Sequence, residues 1–433
     1  MRPVLDRGTV LAASLSLLSS ALLLPAASMA QGQPPVPLGD PFEVAADPAG
    51  EQSFADVARN RDGSFVVVWR HQPWIEHGEW NVHARRFDAE GQPRGAGYRI
   101  NVEPVHGDYR DLDVELTPGG GFVVAWESFD PYPNRSDVFA RVYDADARPL
   151  GPPFLAPEEP IDDQYLVGVA VEEGGLFTVA WSYYDYGYDP VGARVFESSG
   201  VPRTGDLVID TSDGSYIYQA SLAASGPGEF VVGYSPYDYG YYSYDSEVRA
   251  QKFDVDGNIT VAEFRVDEGS GAAGYYGQPV EVGSDAAGNF TVLWGTGYGT
   301  SDVRARRFSP DAQPLGSEFV VGSTDDIRHL AVSPGGRSLV YWERDYYGGE
   351  LQAQLWSPDG TPEGPPFEVV DPTAPGHYLG AALDASESPV FVWNEWRVNQ
   401  GYDVLARRFQ TFERIFLDGF ESGDTVRWST QLP

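Results

Sequence analysis

The stretch Gly63-Ser-Phe-Val-Val-Val-Trp69 decides the fold, because variants of it recur along most of the chain. Each variant is a short run of mainly apolar, strand-forming residues that ends in an aromatic residue, which is typical of a buried β-strand. The seven copies end at Trp69, Trp126, Trp181, Tyr234, Trp294, Trp342 and Trp393. Six steps span the 324 positions between the first and the last, so the period is about 54 residues and indicates a repeat architecture.

A second strand pattern follows each of these runs after a variable loop. Its first copy is Ala84-Arg-Arg-Phe87, in which small or apolar residues alternate with long polar ones, as on a half-buried strand. The other six copies begin at Ala140, Ala193, Ala250, Ala305, Ala353 and Ala406. Turn sequences such as Asp88–Gly91 and Asp254–Gly257 come directly after it and predict tight hairpins.

The last strand of each repeat is out of step with the others, and this offset predicts a closed ring. Its seven copies start at Phe42, Tyr98, Phe154, Leu207, Phe264, Phe319 and Phe367. The copy at Phe42 precedes the first Trp-ending strand, and no clear copy follows Phe409. A linear array would leave one strand edge exposed, whereas a ring pairs it. We therefore predict an all-β, seven-bladed β-propeller of four-stranded antiparallel blades, closed by the N-terminal strand Phe42–Val44. Two stacked β-sandwiches are the alternative, and they would need no offset.

The repeat resembles those of bacterial secreted β-propeller proteins with G-x-F-V-V-x-W … A-R-R-F-D-x-x-G units. Residues 63–69 and 82–102 carry the resemblance, which extends over about residues 42 to 410. It implies the same fold and adds little on function. The Trp strands and the A-R-x-F strands are expected to be structural, with the arginine bridging neighbouring blades.

The two ends of the chain differ from the repeats. Arg2 and Arg7 precede an apolar run from about Val10 to Leu24, and Ser28-Met-Ala30 suits signal-peptidase cleavage. We predict a signal peptide at residues 1–30, a linker at 31–41, the propeller at 42–412 and a C-terminal segment at 413–433. That segment resembles the D-G-F-E-S-G-D-x-x-x-W-S type found on exported bacterial proteins. The mature protein is expected to be secreted or periplasmic, with association to the cell surface as an alternative.

Composition limits the classes of partner. The chain has 433 residues, no cysteine and a formal charge of -35, which disfavours nucleic acids and anionic membranes. No stretch after the signal is long and apolar enough to span a bilayer. A glycan or an extracellular protein is the expected partner.

Aromatic and acidic residues concentrate in the loops between the second and third strands of each repeat and between repeats. These two loop classes emerge on the same side of a four-stranded blade, so one face, the loop face, gathers them. We predict that this face binds a glycan, a peptide or a protein partner, since aromatic rings stack on sugars and cationic groups. The candidate ligand-binding residues are Trp74, Trp80, Tyr132, Tyr184, Tyr186, Tyr237, Tyr239, Tyr346 and Trp396.

Two alternatives stay open at this point, and neither has a decisive motif. A propeller glycoside hydrolase or lyase would use paired carboxylates at the central mouth. Its candidates are Asp130, Asp185, Asp238, Asp345 and Glu395, and spacing selects no pair among them. The other alternative is a structural cell-surface protein. No metal site or cofactor is predicted; calcium is a weak alternative at Asp254–Asn258, where the downstream Glu of a calcium loop is missing and a β-turn is favoured.

Overall fold

A computed structural model describes residues 33–45, 50–73, 79–106, 111–130, 135–159, 163–184, 190–209, 216–237, 247–269, 280–296, 302–323, 327–344, 350–370, 376–397 and 401–411. These residues form strands and turns, and none of them forms a helix that could cross a membrane. The predicted signal peptide and C-terminal segment lie outside the described residues.

The strands form seven antiparallel sheets arranged in a ring, which confirms the predicted all-β, seven-bladed propeller. The innermost strands of blades 1 to 7 are β3 (Gly50–Arg59), β8 (Leu112–Leu116), β12 (Asp163–Val171), β16 (Tyr216–Ala224), β20 (Glu281–Ser284), β24 (Ile327–Val332) and β28 (Gly376–Leu383). The second strands are β4 (Phe65–Pro73), β9 (Phe122–Asp130), β13 (Phe177–Tyr184), β17 (Glu229–Tyr237), β21 (Phe290–Gly295), β25 (Ser338–Arg344) and β29 (Pro389–Arg397).

The two outer strands complete each blade. The third strands are β5 (Glu79–Phe87), β10 (Arg135–Tyr143), β14 (Val191–Phe196), β18 (Arg249–Asp254), β22 (Asp302–Phe308), β26 (Glu350–Trp356) and β30 (Gly401–Gln410). The fourth strands of blades 1 to 6 are β6 (Tyr98–Arg99), β11 (Phe154–Leu155), β15 (Leu207–Ile209), β19 (Ile259–Arg265), β23 (Phe319–Ser323) and β27 (Pro362–Glu368). An additional short strand of blade 1, β7 (Val105–His106), also pairs with β5.

Blade 7 takes its fourth strand from the other end of the chain, as the offset predicts. Two short segments, β1 (Val36–Pro37) and β2 (Phe42–Glu43), pair antiparallel with β30. Phe42 lies opposite Ala406 in this pairing. Val392 and Val404 of blade 7 then pack with Val57 and Val67 of blade 1 in one apolar cluster. Both strand pairing and side-chain packing therefore close the ring.

The second strands are apolar on both faces because each face packs against a different neighbouring blade. The aromatic residue that ends the repeated run is buried in every blade, from Trp69 to Trp393. Burying such a side chain contributes a few kcal/mol, so the seven seams between blades hold most of the apolar stabilisation.

The arginine of the A-R-x-F pattern bridges neighbouring blades, as expected. Arg141 of blade 2 donates from Nη1 to the carbonyl of Ile100 in blade 1 at 2.6 Å, and from Nε to Gly151 in its own blade at 3.0 Å. Arg85, Arg306 and Arg407 repeat this pair of bonds. A residue conspicuous in the repeat thus fastens the outer part of four of the seven seams.

Tight turns join the first and second strands and the third and fourth strands. In the turn Asp254–Asn258, the Asp254 carboxylate accepts the backbone N–H groups of Asp256 and Asn258 at 2.9 and 2.8 Å. Gly257 in this turn has a φ of 81°, which disfavours other residues. This segment therefore forms the β-turn that the sequence favours.

Gly288 is a turn position where we expect a substitution to be poorly tolerated. Its φ is 82°, and a Cβ there would lie 2.9 Å from Gly226 Cα and 3.0 Å from Gly226 N in the adjacent blade. Since backbone atoms cannot move aside cheaply, Gly288→Ala should lower the free energy of unfolding by at least about 1–2 kcal/mol. Gly119→Ala is the matched control, because its Cβ would meet nothing within 4 Å. Equal denaturation midpoints for both variants would contradict this expectation.

Candidate functional site

The innermost strands surround a cavity of about 410 Å³ on the axis of the ring. Its lining includes Asp56, Asp113 and Glu115 on blades 1 and 2, and Tyr341 on blade 6. The cavity therefore has a carboxyl-rich side.

Asp56 and Asp113 form a hydrogen-bonded carboxyl pair in this cavity. Each also accepts a backbone N–H from the next blade: Asp56 from Val114 at 3.1 Å, and Asp113 from Val169 at 2.6 Å. Burial, together with the charge of Asp113, raises the pKa of Asp56 well above its usual range, and burial also raises the pKa of Asp113. The pair therefore resists ionisation and links blades 1, 2 and 3.

Glu115 is the most exposed of the three carboxyl groups that line the cavity. The ring of blades nevertheless encloses it. This enclosure is the main cause that raises the pKa of Glu115 to about 8, and the charges of Asp113 and Asp56 add to it. A carboxyl with this pKa can hold a proton near neutral pH and deliver it to a bound molecule.

Other blades repeat the link between a polar side chain and the next innermost strand. Glu281 accepts the N–H of Leu330 at 2.5 Å and lies 2.6 Å from His329 Nδ1. Burial opposes ionisation of His329, but the Glu281 carboxylate outweighs it and raises the histidine pKa. Ser221 accepts the N–H of Val282 at 3.1 Å. Asp56, Asp113, Ser221 and Glu281 thus hold neighbouring blades together.

The predicted site residues divide between described and undescribed positions. Trp74, Tyr132, Tyr186, Tyr239 and Tyr346 lie outside the described residues, as do the candidate acids Asp185, Asp238 and Asp345. Tyr184 and Tyr237 end the second strands β13 and β17. Their positions place them at the loop face; of their side chains nothing is described.

Trp80 lies on β5 at the loop end of blade 1 and is partly buried. The guanidinium carbon of Arg70 lies 4.2 Å from its ring centroid, within cation–π range. Trp80 also packs on the apolar cluster between blades 1 and 2. Much of this indole is therefore engaged within the protein.

Trp396 is the described site residue that is most available to a ligand. Its side chain is 55% exposed near the end of β29. Tyr402 supports it from the opposite strand, with ring centroids 5.0 Å apart and an interplanar angle of 72°, and His377 stands 6.0 Å from Tyr402. We call Trp396, Tyr402, His377 and the neighbouring Asn394 the blade 7 patch.

A charged group occupies the same hairpin. Arg397 pairs with Glu395 at 3.5 Å, with Asp403 at 3.3 Å and with Glu43. Its hydrogen bond to Glu43 raises the pKa of Arg397. Glu395, one of the candidate acids, therefore belongs to an ion-pair cluster.

The sequence pattern missed Tyr402, His377 and Asn394 as site residues. The signal that could find them is the hairpin register, in which Trp396 pairs with Tyr402 and Asn394 pairs with His377. Among the described residues, no group of three or more His, Asp or Glu side chains is arranged to hold a metal ion.

Solved structures similar to this chain span most of its length at low sequence identity. The polysaccharide lyase Uly1 has a TM-score of 0.52 at 8% identity, covering 87% of this chain and 100% of its own. The β-propeller domain of the Trilobed protease from Pyrococcus furiosus has a TM-score of 0.48 at 9% identity, with coverages of 87% and 100%. A six-bladed fungal lectin from Aleuria aurantia has a TM-score of 0.44 at 12% identity, with coverages of 76% and 97%. No family model and no curated protein matches the chain. At these identities the likeness concerns the fold alone.

Proposed function

We propose that this protein is an exported, noncatalytic binding propeller that takes a carbohydrate or an extracellular protein on its loop face. The observation that carries the proposal is Trp396, whose indole is held by Tyr402 and yet is largely open to solvent. Leaving a large aromatic ring exposed costs free energy, and such rings commonly mark binding surfaces.

The arrangement of the central acids supports binding over hydrolysis. Carboxyl pairs of glycosidases stand about 5 to 10 Å apart, with room for substrate or water between them. Asp56 and Asp113 instead hydrogen-bond to each other and to the backbone of the next blade. Their geometry suits a structural link.

Replacing Trp396 tests the proposal. A glycan array and an extracellular-protein array, each run with and without calcium, should give selective binding by the mature chain. Trp396→Ala should weaken that binding about tenfold, since a stacked ring contributes about 1 kcal/mol or more. Ile259→Ala is the control, because Ile259 is also exposed but lies on the outer strand β19. Equal affinities for the two variants, or two blank arrays, would count against the proposal.

Export is tested separately. Expression in a bacterial host with a signal peptidase should yield a mature chain that begins at Gln31, because cleavage is expected after Ala30. N-terminal sequencing of the periplasmic and culture fractions measures this. Recovery of the chain with Met1 intact in the cytoplasm alone would contradict it.

A hydrolase or lyase is the second candidate, and Glu115 is the observation that favours it. A carboxyl with a pKa of about 8 that faces a channel could act as a general acid. Under this alternative, the protein would release reducing ends or unsaturated products from a polysaccharide, and Glu115→Gln would abolish the release. Unchanged turnover in Glu115→Gln would remove Glu115 from this role.

A further inference from the structure

The residues of the blade 7 patch indicate which class of ligand it binds; this inference rests on the proposed binding function. Alternate residues of β29 point to opposite sides of the sheet. Val392 packs into the seam with blade 1, so Asn394 and Trp396 lie on that same side. Tyr402 and His377 share it through their pairing with Trp396 and Asn394. The patch therefore presents three rings and one amide on a single side.

Asn394 is the unusual member of the patch. Its side chain is 0% exposed, and within the part of the chain that the structure describes neither Oδ1 nor Nδ2 has a hydrogen-bond partner. Buried polar groups nearly always have partners, because an unpaired donor or acceptor destabilises the fold. The amide nitrogen has no acceptor and the amide oxygen has no donor. A sugar hydroxyl group can act as both.

Trp396 lies one step further along the same side of β29, toward the loop end of the blade. Asn394 is buried, so a ligand hydroxyl can reach its amide only after the exposed Trp396 ring or another side chain at this end of the blade shifts. A pyranose stacked on the indole would then direct hydroxyl groups toward Asn394. Stacking and amide hydrogen bonding together are the usual means of holding a small polar ring in a protein site.

The patch itself carries no carboxylate, ammonium or guanidinium group. The charged residues of the hairpin, Glu395, Arg397 and Asp403, alternate to the other side and are paired there. The chain as a whole has a charge of -35, which repels anionic sugars. We infer that the blade 7 patch is a subsite for an uncharged pyranose, held by stacking on Trp396 and by hydrogen bonds to Asn394.

The test measures binding by isothermal titration calorimetry with the mature chain. The probes are the methyl glycosides of glucose, galactose, mannose and fucose, with glucuronic acid and glucosamine as charged comparisons. At least one neutral glycoside should bind, with an affinity that changes little between 50 mM and 500 mM salt, since no charge pair is involved. Preference for a charged sugar would overturn the inference and leave the proposed function standing. If no sugar binds but a protein partner does, the inference alone fails; if nothing binds, both fail.

Asn394→Leu separates a binding role from a structural one. Leucine has nearly the same shape and removes the unpaired polar atoms, so the melting temperature should stay the same or rise. Binding of the neutral glycoside should fall at least tenfold. A marked fall in melting temperature would mean that the amide has a structural partner such as a buried water, and would overturn the inference. Unchanged binding would overturn it as well.

Discussion

The melting temperature is expected to be highest near pH 5 and to fall by several degrees by pH 9. Glu127 is the main reason. It is 3% exposed on β9, and burial, followed by the charge of Asp111, raises its pKa from 4.5 to about 8. The folded chain therefore keeps this proton between about pH 4.5 and pH 8, whereas the unfolded chain releases it. Stability from a raised carboxyl pKa is complete below the unfolded value and is lost as the pH rises through this window.

Other groups act in the same direction. The pKa of Glu115 is also raised to about 8, by enclosure and by Asp113 and Asp56. Rising pH makes a chain of formal charge -35 more negative, which increases self-repulsion in the folded ring. At low pH, Asp267 has the opposite effect on stability. Burial opposes its ionisation, but the hydrogen bond that it accepts from Arg265 outweighs burial and lowers its pKa. Its contribution disappears as the pH falls through that lowered value, so stability should peak between these limits.

Glu127→Gln isolates the main contributor. The glutamine Oε1 can still accept the N–H of Leu166, which Glu127 accepts at 2.6 Å, but the side chain no longer titrates. The variant should match the native protein at pH 5 and exceed its melting temperature at pH 8.5. Glu90→Gln, at an exposed turn position, should leave the pH profile unchanged. If Glu127→Gln kept the full pH dependence, Glu127 would have to be ionised already at pH 5.

The sequence predicted the ring because the residues that define a blade repeat in register. Trp69 and its counterparts are buried in every blade, as are Ala84 and its counterparts. The inner strands are different. Asp56, Ser221 and Glu281 all accept an N–H from the next blade, yet they share no residue type. Bulges such as the one between Ser53 and Asp56 also shift the alternation. No pattern could therefore identify these links in advance.

The candidate site was predictable only in part, for a similar reason. The concentration of aromatic residues in the loops predicted Trp396 and Trp80 alike as ligand-binding residues. Their exposure differs because Arg70 lies over Trp80, and this contact depends on strand register. Asn394 directly follows the apolar run that ends at Trp393, and its lack of partners depends on three-dimensional packing.

The second large effect is expected at an ion pair in the seam between blades 4 and 5, in which the lysine is buried and the glutamate side chain is 31% exposed. Lys252 is 0% exposed; its Nζ lies 2.6 Å from Glu229 Oε2 and donates to the carbonyl of Pro310 in blade 5. Removing one partner of a buried pair leaves a charge in a poorly hydrated site. Glu229→Leu should therefore lower the free energy of unfolding by about 3 kcal/mol, measured by urea denaturation at pH 7.

Removing both charges should recover most of the lost free energy of unfolding, because other blades have apolar residues at these positions. Val195 and Leu355 occupy the position equivalent to Lys252, and Leu176 occupies that of Glu229 in blade 3. A buried ion pair replaced by apolar residues of similar volume is often neutral or stabilising. The double variant Glu229→Leu/Lys252→Leu should thus come within about 1 kcal/mol of the native protein. A double variant as unstable as Glu229→Leu alone would show that packing around position 229, rather than the stranded lysine charge, causes the loss.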